Sequence, residues 1–576
     1  MRNDSGLQMT LGRYGEAVEE RLRRWAAEDF GRRLWARDHT LWTPEPVPEL
    51  TDRMGWLDLP ASMPREVETL ERFAGEVCGE GTERVFVLGM GGSSLAPEVF
   101  SRTFGSRPGF PELRVLDTTH PDAVAASSHE LDPAKTLFLV SSKSGGTLET
   151  LSLFRFFWQL SGDRLPADQV GRRFVAITDP GTSLERLARE RGFRAVFNGP
   201  EDVGGRYSAF THFGLVPAAL LGVDLRGLLE RGRAMAQFCG QPGGPEAPVA
   251  ESPGLVLGAA LGELALAGRD KVTFLTTPSL ESFPDWIEQL VAESTGKHGK
   301  GIVPVVGERP GRTEVYGGDR VFAALLLDGE AGVLEPQLAE LEAAGHPVLR
   351  FRFASRLDLG GEIFRWEIAT AAAGAVLGIN PFDQPDVQLA KELAARAMKE
   401  AGEHGSSPTA ARGETVGSSG ASTMALALRE WLEGVQPGDY LGLQAYLPPV
   451  WEDLRIVQAA LRDVTRLAVT AGYGPRFLHS TGQLHKGGPG RCRFLQLVDA
   501  PLQSLPVPET DYDFARLIRA QADGDRQALE QRGRKVLRLD LGRDAQGGLR
   551  RLREALGAGP YEEEGDETLP PEGIWR

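Results

Sequence analysis

Apolar residues at helical spacing open the chain. From about residue 14 to 35, Val18, Leu22, Trp25 and Ala26 recur on one side of a helix whose other positions are largely Glu and Arg. The proline-rich stretch 43–48 ends this lead-in. From about 65 to 230 the pattern changes to short apolar runs, RVFVLG, LRVLD, TLFLV, FVAIT and RAVFN, separated by helical segments. Strands alternating with helices predict parallel βαβ units and a doubly wound sheet, with working residues in loops at the C-terminal ends of strands. A second unit of the same grammar spans about 251–403, with KVTFLT, RVFAALLL and PVLRFRF as strands. Residues 405–421 are rich in Gly, Ser and Thr and read as a linker. A third αβ unit follows over 422–560, with DYLGLQAYL, RFLQLV and KVLRLDL as strands. The tail, 561–576, carries EEEGDE and Pro-Pro and is expected to be disordered. The fold class expected is α/β: a helical lead-in over 1–64, tandem doubly wound parallel-sheet units, and an additional C-terminal αβ unit.

Composition narrows the function. A chain of 576 residues exceeds one ordinary core. Lys and Arg number 64 against 80 Asp and Glu, a formal charge of −16, which argues against a nucleic-acid binder and its basic stripe. Local dipoles can still hold an anionic substrate. Cys78, Cys239 and Cys492 lie far apart with no CxxC spacing, so neither a disulfide framework nor a zinc site is expected, and the cytoplasm is the expected location. Without HxH or HExxH spacing no metal is expected, and no cofactor. The N-terminus lacks an apolar signal core. The most hydrophobic stretch, 255–267, is interrupted by Glu263 and falls short of the ~20 residues a membrane span needs, so it reads as a core helix.

Two loops concentrate the candidate chemistry. The first predicted strand ends in Gly89-Met90-Gly91-Gly92-Ser93-Ser94 before a helix. The third ends in Ser141-Ser142-Lys143-Ser144-Gly145-Gly146-Thr147 before LETLSLFRFFWQL. Glycines let backbone approach a ligand closely, and a helix start offers N–H groups and a positive dipole end. Hydroxyls and a lysine at such a turn suit a phosphate dianion. Each loop alone is equally a tight βα turn with Ser/Thr caps. Neither is a Walker loop, since GK[ST] is absent, and no third glycine completes a dinucleotide fingerprint after Gly89 and Gly91. Two such loops on one sheet point to a sugar phosphate before a nucleotide.

The loop pair resembles the sugar isomerase (SIS) domain, and further segments resemble the glucose-6-phosphate isomerase family. GMGGSSLAPEVF is similar to that family's GIGGSxLGP loop and SSKSGGTLET to its SKTFTTxET loop. Gly204-Gly205-Arg206-Tyr207-Ser208 resembles GGRFS, and Glu293-Ser294-Thr295-Gly296-Lys297 resembles ESNGK. INPFDQPDVQLAK, residues 379–391, resembles INxFDQxGVELGK. The five matches keep the family's order. The lead-in and third unit resemble the isomerase half of bacterial transaldolase–isomerase fusions; the transaldolase half would precede residue 1, and no Schiff-base aldol chemistry is expected. The resemblance implies tandem SIS-like domains with the active site between sheets, cofactor-free interconversion of glucose 6-phosphate and fructose 6-phosphate through an enediol, and a homodimer.

It also implies roles. Gly92, Ser93, Ser142, Lys143, Ser144 and Thr147 would anchor the phosphate, whose binding energy orients the reacting carbons. Glu293 would move the proton between C2 and C1, Arg206 would stabilise the enediolate, and Lys391 would assist ring opening. Without the resemblance, Glu293 is equally a solvated helix-end residue, Arg206 an ion-paired surface arginine and Lys391 a solvated helix lysine like Lys399. The family's ring-opening histidine, set in GTxGQHxFxQLIHQG between the glutamate and the lysine, has no counterpart there; only His298 and His346 fall in that interval. A similar string, LHSTGQLHKGG, covers 478–488 and precedes the strand FLQLV. The third unit is therefore expected to be a partial repeat of the second, supplying His479 at the catalytic position and His485 at the second histidine. The alternative is a structural histidine pair. Two other readings stay open: a non-catalytic sugar-phosphate sensor, and an isomerase of another phosphosugar such as a dual glucose/mannose phosphate enzyme.

Overall fold

Strand-length apolar runs with no polar face predict sheets covered on both sides, and the chain builds three of them. The computed structural model describes residues 6–129, 131–241, 248–387, 392–394, 396, 398, 415–417 and 420–557. A short strand, β1 (Leu7–Thr10), opens the chain. The first sheet comprises β2 (Arg84–Gly89), β3 (Glu112–Leu116), β4 (Thr136–Ser141), β5 (Phe174–Thr178) and β6 (Ala195–Asn198), all parallel, in the order β3-β2-β4-β5-β6. The second comprises β7 (Lys271–Thr276), β8 (Val303–Val305), β9 (Arg320–Leu327) and β10 (Val348–Phe353), ordered β8-β7-β9-β10, with β1 antiparallel on the β10 edge. The third comprises β11 (Thr415–Val416), β12 (Tyr440–Tyr446), β13 (Ala468–Tyr473), β14 (Cys492–Val498) and β15 (Lys535–Asp540), ordered β13-β12-β14-β15-β11 and parallel throughout.

All three sheets share one winding. In each, the first strand of the βαβ series is internal, the second lies on one side of it, and the third and fourth follow on the other. The third unit thus repeats the topology of the second. The period-2 pattern of the first sheet sorts its side chains. Val85, Val87, Leu137, Leu139, Val175 and Ile177 join the large core that continues into the second unit. Phe86, Leu88, Phe138, Val140, Phe174 and Ala176 join a second core under the Leu148–Gly162 helix.

Several local features differ from the sequence pattern. The lead-in helix ends at Ala27, and Asp29, at φ 56°, breaks it before a second helix, Phe30–Trp35. Val18, Leu22 and Trp25 are buried, but Ala26 faces solvent. β8 and β13, which the apolar runs did not reveal, hold the same edge place in their sheets; β8 contains Pro304, which an edge tolerates. Within the expected linker, Thr415 and Val416 pair with β15, while 405–414 and the acidic tail lie outside the described residues. Residues 255–267 fall on a buried helix, Pro253–Leu266, continuing only to its cap, and Arg21 donates to Glu263 at 2.6 Å. No helix among the described residues is long and apolar enough to cross a membrane.

Polar contacts dock the third unit. Arg320 at the start of β9 donates to both oxygens of Glu308 and to the Leu467 carbonyl, and Arg462 of the third unit lies 3.7 Å from Glu308. Against the first unit, buried His120 meets Asp499 at 3.1 Å through Nε2. Phe514 and Leu517 of the third unit add apolar cover beside the Leu148–Gly162 helix.

Candidate functional site

The two Gly/Ser loops flank the topological switch of the first sheet, where β2 and β4 lie side by side and crossovers leave in opposite directions. After β2 the chain makes a single turn, Gly91–Ser93, before the Leu95–Phe104 helix. A Cβ at Gly92 would sit 2.1 Å from the Gly205 carbonyl oxygen, so only glycine lets this loop lie on the segment that carries Arg206. Ser208 reinforces the contact, donating to the carbonyls of Gly92 and Gly205. After β4, Ser142 and Thr147 share a hydroxyl hydrogen bond of 2.8 Å across the loop. Thr147 occupies the cap position of the Leu148–Gly162 helix, and its side chain does not cap the helix amides. Ser144 is exposed and accepts from the Gly146 amide. Lys143 turns to Asp179 at the end of β5 (2.5 Å) and to the Pro200 carbonyl (3.1 Å). The two hydroxyls and the helix start are thus together, whereas the Lys143 ammonium is held by a carboxylate.

Arg206 is buried and its fork is fully engaged. Nε donates to Ser294 Oγ (2.8 Å), Nη1 to Gln384 Oε1 (2.8 Å), and Nη2 to the carbonyls of Pro381 and Asp383 (2.8 and 3.0 Å). Nη1 also lies 3.1 Å from Glu293 Oε1. Glu293 sits in the last turn of the Phe283–Thr295 helix, and Gln289, one turn earlier, donates to its Oε2 (3.1 Å). Just past that helix Lys297 is enclosed, donating to the Asn380 carbonyl and pairing with Asp383 Oδ1, both at 2.6 Å. Burial, reinforced by the Arg206 charge, pulls Lys297 down to about 7, against the pull of Asp383.

His479 arrives from the third unit, in a short turn, Arg476–His479, after β13. Its main-chain oxygen accepts from Gln289 Nε2 (2.8 Å) and lies 2.7 Å from where a Cβ would stand on Gly91, a residue with φ +56°. Its Nε2 lies 3.0 Å from Glu149 Oε1 in the first turn of the Leu148–Gly162 helix. Gln521 donates to the same Glu149 oxygen (2.8 Å), and Thr119 donates to Gln521 Oε1 (2.7 Å). A chain of polar groups therefore runs from Thr119 through Gln521 and Glu149 to His479, while Gln289 joins His479 to Glu293.

His485 is placed differently. It is buried among Tyr440, Phe477 and Phe494, and Gln444 Nε2 lies 3.4 Å from its Nδ1. Burial, with Lys486 and Arg534 adding to it, lowers its affinity for a proton well below that of an ordinary histidine. It belongs to the core of the third unit and not to the Glu293 cluster. His298 is exposed at a tight turn with φ 53°, and His346 packs on Phe322. Lys391 lies outside the described residues. Among the described residues no group of three or more His, Cys, Asp or Glu could hold a metal ion. Sequence reasoning assigned no role to Glu149, Gln289, Lys297, Gln384 or Gln521. Glu149, Lys297 and Gln384 stand inside motifs quoted for their neighbours, but Gln289 and Gln521 carry no local signal.

The phosphoglucose isomerase family model matches residues 65–305, which include both loops, Glu149, Arg206, Gln289 and Glu293; His479 lies beyond it. A glucose-6-phosphate isomerase of Carboxydothermus hydrogenoformans is 30% identical over 400 residues, covering 59% of this chain and 83% of the relative. A solved hypothetical protein of Thermus thermophilus superposes with a TM-score of 0.56 at 27% identity, covering 68% of this chain and 99% of that one. A solved glucose-6-phosphate isomerase of Chlamydia trachomatis, at 21% identity and a TM-score of 0.52 over 64% of this chain and 78% of its own, shares the fold. With the relative from Carboxydothermus matched along most of its length, and with the Arg206–Glu293 pair inside the matched stretch, the chain belongs to the glucose-6-phosphate isomerase family.

Proposed function

We propose that the chain interconverts glucose 6-phosphate and fructose 6-phosphate by opening the sugar ring and passing a proton between C2 and C1 through an enediolate. The observation that carries this reading is the meeting of Arg206 and Glu293 at 3.1 Å beside the first loop, with the His479–Glu149 pair joined to them through Gln289. A base and a fixed cation next to each other suit a reaction in which a carbon acid loses a proton as negative charge builds on the adjacent oxygens.

In this scheme the sugar phosphate sits over the switch point. Its phosphate meets Ser142, Thr147 and the uncapped helix start, with the Gly92–Ser93 backbone nearby. The phosphate is remote from the reacting carbons and serves to orient them. His479 takes the anomeric hydroxyl proton as the ring opens, and Glu149 fixes its imidazole and supports the charge it acquires. Lys391 is assigned the ring oxygen on the strength of its motif alone. Glu293 then removes the C2 proton and returns it to C1, while the fixed positive charge of Arg206, locked by four hydrogen bonds, offsets the charge of the enediolate without reorganising. Every described group given a role belongs to one chain, so in a homodimer each copy would hold its own set.

The test is turnover of fructose 6-phosphate to glucose 6-phosphate, followed through a coupled dehydrogenase, beside Glu293→Gln. Activity in the parent, reduced ~10²–10⁴-fold in the variant, is the expected result. Phosphosugar binding without turnover in the parent would favour the sensor reading, and turnover of only another phosphosugar would change the substrate.

A further inference from the structure

The turn that brings His479 to the site is four residues long, and an isolated turn of that length has little stability of its own. Its first residue, Arg476, reaches groups of the first and second units. The guanidinium meets Glu98 Oε2 (2.5 Å) from the Leu95–Phe104 helix, Asp117 Oδ2 (3.1 Å) just past β3, and Asp285 Oδ2 (3.6 Å) from the Phe283–Thr295 helix. Ser94 also donates to that Asp117 oxygen, at 3.3 Å. A cavity of about 20 Å³, room for roughly one water, lies beside the guanidinium among Asp285, Glu288, Tyr473 and Ser480.

The gripped elements are those that carry the rest of the site. The Leu95–Phe104 helix follows the first loop, and the Phe283–Thr295 helix presents Asp285, Gln289 and Glu293 at intervals of four residues, on one face. One guanidinium thus joins the loop, the base-bearing helix and the histidine turn. We propose that Arg476 is the positioning residue for His479: its fork, held by carboxylates of the first and second units, sets the turn so that the imidazole reaches Glu149 and the main-chain oxygen reaches Gln289. This rests on the isomerase reading and on ring opening by His479. The geometry calls for arginine, because its broad planar fork donates to Asp117 while staying in ion-pair reach of Glu98 and Asp285, and a lysine ammonium is a point charge on a flexible stem.

The experiment uses the full chain and two readouts. One is kcat on fructose 6-phosphate, whose ring must open. The other is the dissociation constant of an acyclic sugar-phosphate hydroxamate, a mimic of the enediolate that needs the phosphate loops, Arg206 and Glu293 but no ring opening. His479→Gln is the reference, expected to lower kcat and leave mimic binding within about threefold. Arg476→Lys is expected to follow it, with kcat down ~10–100-fold and mimic binding likewise preserved. Glu98→Gln removes one grip and keeps the arginine charge, so it should show the same pattern at about three- to tenfold and serves if Arg476→Lys does not fold. Equal losses of kcat and mimic affinity in the folded variants would overturn the proposal, since Arg476 would then support the whole cavity. Unchanged kcat in Arg476→Lys, or in Glu98→Gln where the arginine variant is unfolded, would also overturn it. Unchanged kcat in His479→Gln defeats the histidine role and the proposal together, whereas a parent that binds the mimic and turns nothing over defeats the isomerase reading itself.

Discussion

Lys297 is enclosed beside another cation, and its proton is correspondingly loose. Between about pH 7 and the ordinary lysine range, the unfolded chain binds a proton that the folded chain has released. Stability should therefore rise with pH across that window. Lys297→Met should remove this slope, so that the parent gains on the variant by up to a few kcal/mol as pH rises from 7 to 10. Denaturant melts of both chains across that range would check it, and parallel curves would show that Lys297 keeps its proton when folded. The same neighbourhood shows what a sequence can and cannot disclose at this scale. Arg206 and Glu293 stand in short contiguous motifs, so a reader of the chain can single them out. Gln289 and Gln521 act on partners 190 and 372 residues away, and no local pattern marks a glutamine for that.

Elements were legible where a strand-length apolar run marks them, including β3 and β6 at the edges of the first sheet, whose burial is incomplete. β8 is three residues with Pro304 at its centre, β1 is four residues alternating apolar and polar, and the apolar run of β13 is broken by Thr470 and Gly472. The docking of the third unit on the second was not legible at all, because it depends on Arg320, Glu308 and Arg462 meeting from separate elements. All three side chains are essentially inaccessible to solvent. Removing Glu308 would leave the buried Arg320 guanidinium without its carboxylate, while Arg462 keeps Asp463 at 2.7 Å. Glu308→Gln should therefore cost about 3–5 kcal/mol. It should also expose the seam around Arg320 and Arg462, which meet through Glu308, to exchange before either sheet opens. Hydrogen exchange read by peptide would check this; protection lost evenly across the chain would mean that the network stabilises the fold without docking the unit.

At the scale of the molecule, the hydrophobic cores divide unequally. One core cluster runs from Leu7 to Phe382 through the lead-in and the first two units, whereas the third unit has its own, from Met424 to Leu552. The third unit meets the others through Phe514 and Leu517 and through a cluster that includes Val303, Val305, Ala468 and Phe494. The first two units should therefore lose protection together in urea and the third in a separate step. A single coincident transition by circular dichroism and hydrogen exchange would contradict this. The repeated winding order was only partly visible beforehand, since the edge strands that complete it were not. The second sheet adds a matter of timing. Its edge strand β1 is made well before its partner β10, which begins at Val348, opposite Thr10. At ~5–20 residues per second on the ribosome, β1 would wait some tens of seconds for the strand it must join. Through that interval Leu7 and Met9, deep in the finished core, would be open to chaperones and to neighbouring nascent chains.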